Sequence, residues 1–201
     1  MLTPSAQMST IQSMSIPNTL PFIEDATKSL GFAMASERNT GALLRVLAAS
    51  KPGGKLLELG TGTGLSACWL LDGMDTEAHL LTVDNDESVL KVARQYFGED
   101  PRITITCADG GEYLESLNGQ KFDLIFADAW PGKFFDLDVA LALLNLGGIY
   151  VIDDLLPQPS WPDDHAPKVP KLIAALQARK ELVVVEMEWA TGILIATRIQ
   201  H

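Results

Sequence analysis

From residue 55 onward, short apolar runs alternate with longer amphipathic stretches, and this alternation constrains the fold more than any other feature of the sequence. Five apolar runs are predicted to be strands, at residues 55–59, 80–84, 103–107, 122–128 and 148–153. The stretches between them have helical periodicity, at residues 65–71, 88–97, 111–117 and 133–146. Strands that alternate with helices build βαβ units, in which the strands are parallel and buried on both faces of the sheet.

The C-terminal region breaks this alternation. After a predicted helix at residues 169–179, two strand-like runs at 182–187 and 193–198 are separated by only five residues. Such a short connection cannot hold a crossover helix, so the two strands are predicted to pair as an antiparallel hairpin. With a further helix at residues 36–50, the sequence predicts an α/β fold: a doubly wound, mostly parallel seven-stranded sheet with a C-terminal antiparallel hairpin.

Length and composition indicate one folded domain. The 201 residues suit a single domain, and residues 1–21, uncharged and rich in Ser, Thr, Met and Pro, are predicted to be a flexible arm before a domain at 22–201. The net charge of −11 repels phosphates, so nucleic-acid binding is not expected. The sequence shows no basic, apolar leader, no long apolar run, and no disulfide or metal spacing of its two cysteines. We therefore expect a cytoplasmic protein with no membrane partner, and a homodimer is compatible with the sequence.

The most informative segment is the glycine-rich stretch at residues 60–64, which follows the first predicted strand and precedes a helix. Glycines let the backbone approach a ligand closely, and the N–H groups at the start of the helix attract an anionic group. Asp84 ends the second strand, 20 residues after Gly64, where a carboxylate can accept hydrogen bonds from ribose hydroxyls. These features predict a nucleoside cofactor. Because Gly62-x-Gly64-x-x-Ala67 also fits the dinucleotide fingerprint, NAD stays an alternative.

Several segments resemble a known family. Residues 57–64 resemble the first motif of class I S-adenosylmethionine-dependent methyltransferases, which have a Rossmann-like fold. Residues 62–66, 122–128 and 147–154 resemble the catechol and caffeoyl-CoA O-methyltransferase group within that class. The resemblance runs from about residue 37 to the C-terminus and implies S-adenosylmethionine as the cofactor. The candidate cofactor-binding residues are Glu58, Gly60, Thr61, Gly62, Gly64 and Ser66 for the methionine part, Asp84 and Asn85 for the ribose, Asp109 and Gly110 for the adenine side, and Asp128.

The acceptor side departs from that group. Its metal-dependent members hold a divalent cation with an acid after strand four and an Asp-Asn pair after strand five, and the matching residues are Asp128, Asp153 and Asp154. Asp154 replaces the asparagine, and Pro131 stands where the group carries a lysine base, with Lys133 two residues later. Three carboxylates at one sheet edge repel one another, so a cation, a proton or Lys133 must offset the charge. We expect Mg²⁺ or a similar divalent cation among the three aspartates.

The candidate catalytic residues are Asp128, Lys133 and His165, each of which can take part in removing a proton from an acceptor hydroxyl. For His165, which lies in a proline-rich stretch, we favour a solvated loop position over a catalytic one. Trp130 and Trp161 flank the same sheet edge, as walls for an aromatic acceptor or as loop anchors. The expected function is an S-adenosylmethionine-dependent methyltransferase that acts on a hydroxyl group of a small molecule. An NAD-linked oxidoreductase and a nucleoside-binding protein without catalysis are the alternatives.

Overall fold

The computed structural model describes residues 15–159 and 161–200. In chain order, its elements are α1 (Leu20–Leu30), α2 (Arg38–Ala49), β1 (Lys55–Leu59), α3 (Leu65–Gly73), β2 (His79–Asp84), α4 (Glu87–Phe97), β3 (Ile103–Cys107), α5 (Gly110–Ser116), β4 (Phe122–Ala127), α6 (Leu137–Ala142), β5 (Leu144–Ile152), α7 (Val169–Gln177), β6 (Leu182–Met187) and β7 (Ile193–Arg198). None of the described helices is long and apolar enough to span a membrane.

The seven strands form one sheet in the order β3-β2-β1-β4-β5-β7-β6. The first five strands of that order are parallel, and β7 is antiparallel to both β5 and β6. This arrangement confirms the predicted fold class, including the C-terminal hairpin. The strand order reverses between β1 and β4, and in open α/β sheets ligands bind in the crevice beyond the carboxyl ends of the strands at such a point.

Helices cover both faces of the sheet and bury two apolar clusters. On one face, α1 to α4 pack around Trp69, which is 1% exposed. On the other face, α5, α6 and α7 pack around the side chains of β4 and β5, including Phe122 and Tyr150. The close approach of α2 to α3 depends on Gly41, because a Cβ at that position would lie 2.1 Å from the Trp69 ring. The sheet thus becomes a rigid platform for the loops at its edge.

The region after β4 differs from the sequence prediction. Residues 133–146 were expected to form one helix, but α6 covers only Leu137–Ala142, and β5 begins at Leu144 instead of residue 148. The helix starts late because Trp130 closes a turn, its carbonyl oxygen accepting hydrogen bonds from the N–H groups of Lys133, Phe134 and Phe135. This turn reverses the chain direction and directs residue 133 back toward the sheet edge.

The N-terminal boundary also differs from the prediction. Helix α1 begins at Leu20, inside the stretch that was expected to be a flexible arm, and residues 1–14 of that arm lie outside the described residues. Leu20 and Ile23 are 1% and 0% exposed, because α1 packs onto the cluster around Trp69. The folded domain therefore starts at least two residues earlier than the predicted position 22.

Candidate functional site

A cavity of about 350 Å³ lies beyond the carboxyl ends of the parallel strands. One end, which we call the cofactor half, is lined by the glycine turn and by Asp84 and Asn85. The other end, which we call the acceptor half, is lined by Asp128, Lys133 and Asp154, together with the aromatic side chains Trp130, Trp161 and His165. The position agrees with the topological rule for ligand sites in open α/β sheets.

The glycine turn places its backbone where side chains would block the cavity. Gly60 has φ +102°, and a Cβ there would lie 3.1 Å from the carbonyl carbon of Asp128. Gly62 has φ +52°, and a Cβ there would lie 3.2 Å from the Phe32 ring. Non-glycine residues rarely adopt these backbone angles. Of the other predicted residues of this segment, Thr61 and Ser66 line the cavity.

Asp84, the predicted ribose-binding residue, lies on the cavity wall and also holds the glycine turn in place. Its Oδ2 accepts a hydrogen bond of 2.8 Å from the Gly62 N–H, and its Oδ1 accepts one of 3.0 Å from the Asp86 N–H. This second role was not predicted, because sequence spacing does not show which backbone groups a carboxylate meets. A carboxylate oxygen accepts more than one hydrogen bond, so Asp84 keeps acceptor capacity toward the cavity.

Glu58 lies behind the turn and outside the cavity lining. Its side chain is fully buried, and its Oε2 accepts a 2.5 Å hydrogen bond from the Thr82 hydroxyl. Burial raises the pKa of this carboxyl to about 7, and the neighbouring Ser66 and Thr82 hydroxyls oppose that rise. Its Oε1 has no hydrogen-bond partner among the described residues. A buried acceptor without a donor is energetically costly.

Asp109 and Gly110 do not line the cavity. Asp109 is exposed and caps the N-terminus of α5, where its Oδ1 accepts hydrogen bonds of 2.9 and 3.1 Å from the N–H groups of Gly111 and Glu112. This is the ordinary function of an aspartate before a helix. The predicted role of Asp109 and Gly110 on the adenine side stays a prediction.

The three predicted metal ligands do not form a metal site. Within residues 15–159 and 161–200, no three His, Cys, Asp or Glu side chains are arranged to hold a metal ion. The Asp153 carboxylate is 1% exposed and turned toward protein donors, accepting hydrogen bonds from the Asp154 N–H and the Thr191 hydroxyl. Asp128 accepts a 2.9 Å hydrogen bond from the Ser36 hydroxyl. The prediction of Mg²⁺ on Asp128, Asp153 and Asp154 therefore does not fit this donor set.

A lysine lies beside these carboxylates instead. The Lys133 side chain is only 2% exposed and lines the cavity, two residues beyond the position where the resembling group carries its lysine. Burial lowers the pKa of Lys133, and the charges of Asp128, Asp154 and Asp153 oppose that effect. Burial, followed by the charges of Asp153 and Asp154, raises the pKa of Asp128 well above its ordinary value. The turn that Trp130 closes brings Lys133 to the cavity.

His165 is buried, contrary to the expected solvated loop position. It is 4% exposed, its ring stacks on Trp161 with a centroid distance of 4.1 Å, and the Phe134 ring meets it edge-on at 4.8 Å. Its Nε2 lies 3.1 Å from the carbonyl oxygen of Asp154. Because a carbonyl oxygen only accepts hydrogen bonds, Nε2 carries the proton. Burial lowers the pKa of His165 and favours the neutral ring.

The sequence analysis missed the N-terminal contribution to the cavity. Phe32 and Ser36 follow α1 and line the cavity, and the Thr27 hydroxyl lies 2.7 Å from that of Thr63 in the turn. A signal for α1 was present, because Pro21 stands in its first turn and Gly31 ends it in a left-handed conformation. The segment crosses the mouth of the cofactor half.

Comparisons with known proteins agree with this geometry. Residues 57–155 match a family described as a methyltransferase domain. Over 117 residues, the chain is 38% identical to proteins of Mycobacterium ulcerans and Mycobacterium marinum that are assigned as O-methyltransferases, a match that covers 56% of this chain and 52% of each relative. The chain thus matches about half the length of these relatives.

Two solved structures share the fold. The O-methyltransferase TomG from Streptomyces achromogenes, solved in complex with S-adenosylmethionine, has a TM-score of 0.80 at 21% identity, covering 96% of this chain and 93% of that one. An O-methyltransferase from Bacillus cereus, solved in complex with S-adenosylhomocysteine, has a TM-score of 0.80 at 18% identity, covering 94% of this chain and 93% of that one. At such identities the likeness concerns the fold alone.

The matched segment contains the glycine turn, the acid at the end of β2 and the acids that follow β4 and β5. These are the same positions on which the sequence resemblance rests, and Gly60, Gly62, Asp84, Asp128 and Asp154 among them line one cavity in the structure. Residues 57–155 therefore match a methyltransferase domain, and the chain is similar over about half its length to O-methyltransferases.

Proposed function

We propose that this chain binds S-adenosylmethionine in the cavity and transfers its methyl group to a hydroxyl group of a small molecule. The observation that carries the proposal is one continuous cavity, which joins the glycine turn and Asp84 to Asp128, Lys133 and His165. The assigned activity of the mycobacterial relatives and the ligand of TomG support it. The match of residues 57–155 to a methyltransferase domain favours methyl transfer over an NAD-linked oxidoreductase activity.

In the cofactor half, the chain offers backbone and carboxylate groups that suit the cofactor. When bound, S-adenosylmethionine would supply a methyl group on a positively charged sulfur, and the neutral thioether S-adenosylhomocysteine would leave as the acceptor oxygen takes the methyl group. Asp84 would accept hydrogen bonds from the ribose hydroxyls with its remaining acceptor capacity. Gly60 and Gly62 let the turn approach the Asp128 backbone and the Phe32 ring closely, because a Cβ at either position would already meet those atoms.

In the acceptor half, Asp128 is our candidate for the group that takes the proton from the acceptor hydroxyl. It lies next to the glycine turn, and the Ser36 hydroxyl holds one of its oxygens. Its raised pKa makes the carboxylate a stronger base than an exposed aspartate. The rings of Trp130 and Trp161 would hold the acceptor and exclude water, which matters because alignment of the two reactants alone contributes about 7–11 kcal/mol.

The first test is cofactor binding, measured by calorimetry with S-adenosylhomocysteine and with NAD. The native chain should bind S-adenosylhomocysteine and not NAD. Asp84→Ala should weaken binding about ten- to hundredfold, because charge-assisted hydrogen bonds to the ribose are lost. Asp75→Ala is the matched control, since Asp75 also accepts backbone N–H bonds but lies outside the cavity. Equal affinity in both variants would remove Asp84 from the site, and binding of NAD alone would favour an oxidoreductase.

The second test is methyl transfer, measured as release of S-adenosylhomocysteine with a panel of phenols, alcohols, thiols and amines. A hydroxyl acceptor should be turned over, and Asp128→Asn should reduce kcat about a hundredfold or more because the base is lost. Cofactor binding without transfer to any acceptor would indicate a binding protein without catalysis. The expectations of a homodimer, a cytoplasmic location and no nucleic-acid partner stay predictions.

A further inference from the structure

The ends of β4 and β5 bring three carboxylates to one place that is largely withdrawn from solvent. Asp153 is 1% exposed, and Asp128 and Asp154 are partly buried. Each of the three carboxyls has its pKa raised first of all by burial. Unscreened carboxylates at a sheet edge destabilise the fold unless a positive charge compensates them.

Lys133 brings that charge into the cluster, and the surrounding structure holds it there. The Gly132 N–H donates a 2.7 Å hydrogen bond to the Phe135 carbonyl oxygen, and the Tyr150 hydroxyl donates one of 2.5 Å to the Gly132 carbonyl oxygen. A Cβ at Gly132 would lie 2.4 Å from the Leu59 side chain, so the turn is packed tightly against the sheet. The backbone next to Lys133 is therefore held against the sheet, and its side chain is buried at the cavity.

Lys133 lines the same cavity as Asp128 and Asp154 without a direct ion pair to either. In the described parts of the chain, no carboxylate oxygen lies within 4.0 Å of the Lys133 nitrogen, although Asp128, Asp154 and Asp153 all influence it electrostatically. The nitrogen also lies 5.3 Å from the centroid of the Phe134 ring. A buried ammonium without counter-charges would be costly, so lysine and aspartates compensate one another.

We propose that Lys133 takes the place of the divalent cation in this chain: its ammonium group neutralises Asp128, Asp153 and Asp154, and no metal ion is needed for the site to form or to work. The statement about catalysis rests on the proposed function. The statement that the site forms without a metal ion does not rest on the proposed function, because charge compensation can be measured in the folded chain without any acceptor. The proposal explains why the three aspartates do not form a metal site.

The first experiment is thermal unfolding of the native chain after exhaustive chelation, with and without added Mg²⁺. We expect the same Tm in both conditions, and the same affinity for S-adenosylhomocysteine. A fall in Tm on chelation that Mg²⁺ reverses would overturn the proposal, because the cluster would then depend on a metal ion. Methyl transfer, where an acceptor is found, should likewise persist in chelator.

The second experiment is a double-mutant cycle between Lys133→Met and Asp154→Asn, followed by Tm. Lys133→Met alone should lower Tm by about 6 °C or more, since it leaves buried carboxylates without their counter-charge. In the Asp154→Asn background, Lys133→Met should lower Tm clearly less, because fewer negative charges then need compensation. Equal losses in both backgrounds would overturn the proposal.

Lys168→Met is the matched control. Lys168 lies on the same side of the molecule, over the Trp130 ring, and pairs with the exposed Asp164 instead of the cluster. The fall in Tm caused by Lys168→Met should be the same with and without Asp154→Asn. If Lys133→Met does not fold, recovery of folding by Asp154→Asn supports the proposal, and the chelation result decides the matter if neither variant folds. Failure to find an acceptor would count against the proposed function only, since every Tm measurement is independent of it.

Discussion

The two halves of the cavity are built in different ways. The cofactor half comes from one short stretch, residues 60–66, and from Asp84 at the end of the next strand. Its shape depends on backbone conformation and on a carboxylate bonded to a backbone N–H. The acceptor half collects side chains from distant parts of the chain, and these side chains hold one another, as in the stack of Trp161 on His165. Local geometry thus defines one half and long-range packing the other.

This difference predicts separate responses to substitution. Changes in the backbone of the turn should abolish cofactor binding, because no other residue can supply the same space. Changes in the aromatic wall should leave cofactor binding intact and affect only acceptor recognition, because each ring is one of several contacts. The following predictions test this separation, beginning with the largest expected effect.

Gly62→Val should break the cofactor half. The substitution places a β-branched side chain at φ +52° and within 3.2 Å of the Phe32 ring, in the space that the cofactor would use. We expect the affinity for S-adenosylhomocysteine to fall more than about a thousandfold, roughly 4 kcal/mol, in calorimetry. Gly119→Val is the matched control, because Gly119 also has a positive φ but no atoms within 4 Å. Normal binding by Gly62→Val would place the cofactor elsewhere.

Glu58→Gln should show the energetic cost of the buried acid behind the turn. The folded-state pKa of Glu58 is raised from 4.5 to about 7, so the native state binds a proton more tightly than the unfolded state. Its contribution to stability is therefore complete below pH 4.5 and is lost as the pH rises through about 7. The stability of Glu58→Gln relative to the native chain should rise by roughly 3 kcal/mol between these limits, measured by denaturant unfolding.

Thr82→Val sharpens this measurement. The Thr82 hydroxyl donates to Glu58 and lowers its pKa, so its removal should steepen the loss of stability with rising pH. A stability difference between Glu58→Gln and the native chain that does not change with pH would show that Glu58 titrates normally in the folded state.

Trp161→Leu should have the smallest effect and should be confined to the acceptor half. It removes the ring that stacks on His165 at 4.1 Å but keeps an apolar side chain. We expect about 1 kcal/mol less stability and an acceptor KM about fivefold higher, with affinity for S-adenosylhomocysteine unchanged. Phe135→Leu is the control, because the Phe135 ring likewise packs against an aromatic residue of the acceptor half, Trp130, but lies outside the cavity lining. Weaker cofactor binding in Trp161→Leu would contradict the separation of the two halves.

The cofactor half was largely predictable from the sequence because its determinants are local. The glycine turn and Asp84 lie close to the ends of strands that the apolar runs indicate, and the structure brings them to one cavity. The bond from Gly62 to Asp84 and the cover by the segment after α1, including Phe32, were not predicted. Asp109 shows the limit of this reasoning, because the residue that ends its strand and precedes a helix serves as an exposed helix cap.

The sequence by itself determined the seven-stranded mixed sheet, the C-terminal hairpin and the glycine turn, because the period of apolar residues and the lengths of connections act over short distances. Only the tertiary structure decided the acceptor half. The turn at Trp130 brings Lys133 back to the carboxylates, and packing against Trp161 and Phe134 buries His165. Burial and the charges of neighbours depend on residues far apart in the chain, and these long-range contacts decide whether a lysine or a metal ion offsets three aspartates.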